Sequence, residues 1–162
     1  MPHAGPSDRA VEPNELVVVD AGAVLVGYYS DCTRTFATGD LPDDLGQAYD
    51  LCLRGQLAGL GKMRAGVTGA EADAASREPI EAAGLGEKYG HGLGHGLGLL
   101  IHEAPTARPE STDTFEPGNV VTCEPGIYLE GRGGVRIEDL VVITDGEPEV
   151  LSSYTKELVT VS

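Results

Sequence analysis

The chain has 162 residues and a formal net charge of −15, from 26 acidic against 11 basic side chains. That length suits one domain with a real core, and that charge excludes binding through nucleic-acid phosphates or an anionic membrane surface. Apolar residues make up 41% and aromatics 5%, with no tryptophan, so the chain is not a disordered polymer and its core is aliphatic.

Residues 1–14 carry Pro, Gly, Ser and Asp and read as a loop. Residues 15–29 read as a strand pair, with Asp20-Ala21-Gly22 between two apolar runs, and a further strand covers about 31–37. Asp40-Leu41-Pro42 opens a helix with Pro42 in its first turn. Leu45, Ala48, Tyr49, Cys52, Gln56 and Leu60 recur near helical spacing to about Met63, and Gly66 follows as a stop. Thr68-Gly69-Ala70-Glu71 is a capping box for a second helix to about Ala83, closed by Gly84. Histidine-rich loops follow, then strands near 119–124, 126–130 and 134–143, and a final strand or two in the tail. Strands, two helices, then strands suit an α+β domain.

Cys32, Cys52 and Cys123 form no C-x-x-C pair and read as reduced core thiols of a cytoplasmic protein. Met1-Pro2-His3 has neither the basic nor the apolar part of a secretory leader, and no run approaches membrane-spanning length.

Five side chains stand where acids and imidazoles are uncommon. Asp20 ends Leu16-Val17-Val18-Val19, and Asp31 sits inside Gly27-Tyr28-Tyr29-Ser30-Asp31-Cys32-Thr33-Arg34-Thr35-Phe36. His95 lies in a glycine-rich run from His91 to Gly98, Glu124 follows Val120-Val121-Thr122-Cys123, and Glu138 lies in Gly134-Val135-Arg136-Ile137-Glu138-Asp139. Each reads as in or beside a buried strand, where an unpaired carboxylate is strongly penalised. Nearby cations are too few, so a pair of divalent ions is the simplest counter-charge. This donor set suits manganese first, with cobalt, zinc or iron also accepted. Such a pair can lower the pKa of a shared water and deliver hydroxide to a carbonyl. His91 and His102 remain for substrate hydrogen bonds or proton transfer, and Arg136 to orient a carboxylate. Arg34 by itself reads as a surface charge.

The segments Asp20-Ala21-Gly22, Ser30-Asp31-Cys32-Thr33-Arg34-Thr35, His91-Gly-Leu-Gly-His95-Gly-Leu-Gly, His102-Glu103-Ala104-Pro105, Thr122-Cys123-Glu124-Pro125-Gly126 and Arg136-Ile137-Glu138-Asp139 resemble the M24 metallopeptidases. Within them the chain is most similar to Xaa-Pro aminopeptidases and prolidases. The resemblance implies a pita-bread fold and hydrolysis of the bond before proline, in a peptide with proline second. A methionine-aminopeptidase-like enzyme and an inactive binding module are the alternatives. It further implies that Asp20 holds one ion, that Asp31 and Glu138 bridge both, and that His95 and Glu124 complete the other. His91, His102 and Arg136 take catalytic roles, and His3, His91, His102 and Tyr128 face the substrate. Family members carry helices and a strand ahead of the His3 segment. The resemblance thus implies that residues 1–162 are an N-terminally truncated catalytic domain, with an open edge at 15–20 and a tendency to form homo-oligomers.

Acid-rich, lysine-poor composition suits a salt-rich cytosol, the alternative being an ordinary acidic cytosolic protein. Thermal melts at low and molar KCl test it: the midpoint is expected to rise with salt as self-repulsion is screened. A flat or falling midpoint would reject salt adaptation.

Overall fold

The computed structural model describes residues 5 and 7–161. β1 (Leu16–Leu25) and β2 (Tyr28–Ala37) form one long antiparallel hairpin. The expected break at Asp20-Ala21-Gly22 does not occur. β1 runs through it, and the turn falls at Val26-Gly27, where both residues take positive φ. Two central residues with φ above zero match the right-handed twist of the flanking strands, so this is where a hairpin closes. β10 (Val159–Thr160) adds parallel to β2, giving the order β1-β2-β10. β1 is therefore an edge strand, and from Val19 onward it is exposed.

α1 (Asp43–Leu60) starts one residue after Pro42, which sits at the N-cap rather than in the first turn. Its buried face includes Leu45, Ala48, Tyr49, Cys52 and Gln56, as the spacing predicts. α2 (Gly69–Ala82) begins with the expected capping box: the Thr68 hydroxyl accepts from Glu71 N, and the Glu71 carboxylate accepts from Thr68 N. The helices pack closely because Gly59 faces α2. A Cβ there would stand 3.0 Å from both Ser76 Cβ and Leu93 Cδ2.

β3 (Gly94–Gly96), β4 (Glu103–Ala107), β5 (Val120–Cys123), β8 (Asp139–Val142) and β9 (Glu149–Val150) form a sheet in the order β4-β3-β5-β8-β9. β6 (Gly126–Leu129) and β7 (Gly133–Arg136) make a separate hairpin. The single strand expected over 134–143 is thus two, parted at Ile137-Glu138. The reason is on both sides of the ladder. Pro125 has no N–H to give, and Glu138 N turns away to Thr33 O at 3.0 Å. The break ties β7 and β8 to β2 and brings the two sheets together at the carboxylates.

Two cores fill the interior. One joins α1, Ile80, Tyr89 and the β6–β7 hairpin; the other joins Met63, Ala72, Leu93, Phe115 and the five-stranded sheet. Cys52 and Cys123 are buried as expected, while Cys32 is only half-buried. Among the described residues no helix is long and apolar enough to cross a membrane.

The cap of α2 gives a direct stability test. Thr68→Ala removes a hydroxyl that satisfies an otherwise unpaired helix N–H. It is expected to cost about 1 kcal/mol, or about 2–4 °C in midpoint for a domain of this size. An unchanged melt would show that α2 is held by packing alone.

Candidate metal centre

Strand alternation builds the first half of the site. Asp20 pairs with Thr33 across the β1–β2 ladder, and Asp31 lies two residues from Thr33. All three therefore share one face. The break between β7 and β8 adds Glu138 from the side. Oxygen atoms of Asp20, Asp31 and Glu138 lie within 4.8 Å of one another.

The second half comes from β3 and β5. His95 sits mid-β3, a strand pressed so tightly between β4 and β5 that a Cβ on Gly94 would stand 2.1 Å from Thr122 O. Only glycine allows that approach. His95 Nε2 stands 3.2 Å from Glu124 Oε1 and 4.0 Å from Asp31 Oδ2. Asp31 thus links the two groups, and the structure brings all five expected ligands together. They differ in exposure: side-chain accessibility is 42% for Asp20 and 15% for Asp31, His95 and Glu124, while Glu138 is buried at 1%. The expectation of burial holds least for Asp20, because β1 is an edge strand.

The set fits divalent cations on two counts. His95 Nδ1 faces Gly96 O at 3.0 Å, an acceptor, so Nδ1 carries the hydrogen. That leaves Nε2 as the nitrogen for a cation, which would replace the hydrogen that Nε2 otherwise gives to Glu124 Oε1. Second, Glu138 Oε2 accepts from Thr33 Oγ1 at 2.6 Å, but the buried Oε1 has no partner among the described residues. An orphaned buried carboxylate oxygen calls for a cation. Electrostatics agree. With no cation bound, burial and then Glu124 push Glu138 up to about 8. Burial, then Asp20 and Glu124, push Asp31 up to about 6. Burial also opposes charge on Glu124 and on His95, but their mutual hydrogen bond prevails, lowering the pKa of Glu124 and raising that of His95.

Behind the ligands runs a hydrogen-bonded chain. Arg136 donates from NH2 to Asp20 Oδ2 at 2.6 Å, from Nε to Thr33 Oγ1 at 3.2 Å and from NH1 to Tyr128 Oη at 3.0 Å. His91 Nδ1 faces the acceptor Gly92 O at 2.8 Å, so its Nε2 accepts from Tyr128 Oη at 3.0 Å. His102 is exposed and meets the His95 ring edge-on, with centroids 4.2 Å apart. A cavity of about 290 Å³ opens beside His91, His95, His102, Arg108, Glu124 and Arg136. His3 lies outside the described residues.

The matches to known proteins are extensive. Residues 1–145 match the model of metallopeptidase family M24. The chain belongs to that family. An uncharacterised peptidase of Bacillus subtilis, YqhT, is 45% identical to this M24 chain over 159 residues, covering 98% of it and 45% of the relative. A solved Xaa-Pro dipeptidase from Bacillus anthracis superposes with a TM-score of 0.97 at 46% identity, over 99% of this chain and 45% of that one. An X-Pro aminopeptidase from Thermotoga maritima gives 0.95 at 38% identity, over 99% and 46%. The M24 chain is an α+β protein with the pita-bread fold, and it spans about half the length of these relatives.

Two contributors were not read from the sequence of this M24 chain. Thr33 touches Glu138, and the signal was present: Asp31-x-Thr33 places both on one strand face. Arg34 is a correction. Far from being a surface charge, it is 5% exposed and binds Asp139 Oδ1 at 2.7 Å. It also donates to Glu138 O. No local pattern announces a partner 105 residues away.

Stability against pH tests the fit. The ordinary values are 4.5 for Glu138 and 3.8 for Asp31, so without a cation the fold keeps protons that the unfolded chain has released. Stability of the metal-free chain is thus expected to fall as pH rises from about 4 to about 8. Added Mn²⁺ should flatten the fall, and Glu138→Gln should reduce it. A metal-free profile that does not fall, or one that Mn²⁺ leaves unchanged, would contradict the assignment.

Proposed function

We propose that the chain carries the site of a dinuclear metal-dependent peptidase that hydrolyses the bond before proline. The observation that carries this reading is the meeting of four carboxylates and one imidazole around the unpartnered Glu138 Oε1. Asp20 would hold one ion, Asp31 and Glu138 both, and His95 with Glu124 the other. Manganese is the first choice, with cobalt, zinc and iron next. When bound, two such ions supply Lewis acidity and a water acidic enough to attack a carbonyl at neutral pH.

The chain's own groups do the rest. Thr33 Oγ1 fixes Glu138 Oε2, which aims Oε1 at the cation site. Arg136 orients Asp20 and Tyr128 through separate nitrogens. Tyr128 Oη donates to His91 Nε2, so His91 sets the direction of the tyrosine at the substrate side. His102 stands at the cavity against His95, placed to hold a proton at the substrate carbonyl or leaving amine. The proline preference draws on the relatives named for Xaa-Pro and X-Pro substrates. Arg108 lines the same cavity, and its guanidinium favours a substrate whose terminal carboxylate lies near the scissile bond. That supports a dipeptide over a longer peptide.

Hydrolysis of Xaa-Pro dipeptides and longer Xaa-Pro peptides with added Mn²⁺, Co²⁺ or Zn²⁺ tests the reading. Metal-dependent cleavage, faster on dipeptides, is expected. Asp31→Ala and Glu138→Ala should remove metal and activity together. His102→Ala should keep metal and lose turnover by roughly 10²–10⁴-fold. Loss of metal in the His102 variant would refute its role as a proton-transfer group.

A further inference from the structure

Residues 83–93 connect α2 to β3 and contain only a short 3-10 turn, Gly86–Lys88. They carry His91 and lead into His95. Two side chains of α2 hold this connection from behind. Asp73 Oδ1 accepts from Leu93 N at 2.9 Å, and Arg77 donates from NH1 to Tyr89 O and from NH2 to His91 O, both at 2.9 Å. The two also bind each other side-on, Nε to Oδ2 at 2.9 Å and NH2 to Oδ1 at 3.0 Å. Arg77 lies over the Tyr89 ring, 4.0 Å from its centroid, and that ring meets His91 edge-on.

The backbone of three alternate residues, 89, 91 and 93, is therefore anchored to one ion pair. The link continues into the metal centre, because Leu93 O accepts from Glu124 N at 2.7 Å. An exposed pair at this i,i+4 spacing would do little beyond steadying its helix. This pair is different: Asp73 is 1% exposed, and among the described residues its bond besides the pair goes to the connection.

Resting on the metallopeptidase reading for what the loop serves, we propose that Asp73 and Arg77 are positioning residues of the site. They set the path of residues 89–93, and through it the direction of the His91 imidazole and the seat of Glu124. The role needs arginine. Its planar fork reaches two carbonyls and a carboxylate at once, whereas a lysine ammonium keeps the charge but not the fork.

Arg77→Lys in the full chain separates positioning from helix support. The imidazole ¹⁵N signals of the metal-free protein report His91 directly, since the chain has only four histidines. In Arg77→Lys the His91 signals should shift as its bond to Tyr128 is disturbed, while the melting midpoint stays close to wild type. With Mn²⁺ and an Xaa-Pro dipeptide, kcat/KM should fall on the order of 10- to 100-fold. Unmoved His91 signals with wild-type kcat/KM would overturn the proposal and leave the pair a helix brace. If Arg77→Lys does not fold, Asp73→Asn decides, because it keeps an acceptor for Leu93 N and removes only the charge that holds the fork. A folded Asp73→Asn with unmoved His91 signals would overturn the proposal equally. A wild-type chain without peptidase activity would refute the metallopeptidase reading, and the ¹⁵N comparison would still decide the positioning.

Discussion

Four carboxylates that repel one another have to be held in one place, and the rest of the structure follows from that constraint. Asp31 and Glu138 show its cost, since without a cation both are pushed toward the protonated form. The protein supplies Arg136 and His95 nearby, which offset part of the repulsion but leave Glu138 Oε1 unpartnered. A flexible chain would relieve such crowding by moving apart. Here the acids sit on backbone that is fixed from several sides, so the proposed cations would be what relieves the crowding.

The fixing is done by interrupting regular structure rather than extending it. β5 leads to β6 through Glu124-Pro125, and β7 to β8 through Ile137-Glu138, so both strands break at the same level. At that break the freed backbone of Glu138 is taken over by β2, with its N–H on Thr33 O and its carbonyl on Arg34. Behind it the buried Asp139 carboxylate gathers Arg34, Gln56 and Lys156, from β2, α1 and the tail. A buried ion pair of this kind adds little net stability over apolar packing, but losing one member leaves an uncompensated charge. Its contribution is the fixed place of the neighbouring Glu138.

Much of the site was legible because its residues contradict their surroundings. An acid closing an apolar run, or a histidine between glycines, is a local anomaly, and Asp20, Asp31, His95, Glu124 and Glu138 all show it. The capping box of α2 was legible for a related reason, since a cap acts within four residues. The hairpin turn was misplaced because Asp20-Ala21-Gly22 has turn composition. Pairing along the whole of β2, from Leu16 with Ala37 to Leu25 with Tyr28, overrides it. Arg34 was misread because its partners lie on β8 and in the tail, far along the chain.

The sequence by itself determined the two helices, the candidate donors and the family, because periodicity, capping and ligand chemistry act over a few residues. Only the tertiary structure decided which atoms meet. It placed Asp31 between the two halves of the site, left Asp20 exposed on an edge strand, and buried Glu138 with one oxygen unpaired. It also turned Asp73, Arg77 and Arg34 from ordinary charges into supports for the site. Those outcomes depend on strand register and on contacts between distant segments, and a carboxylate's charge state follows from its neighbours in space.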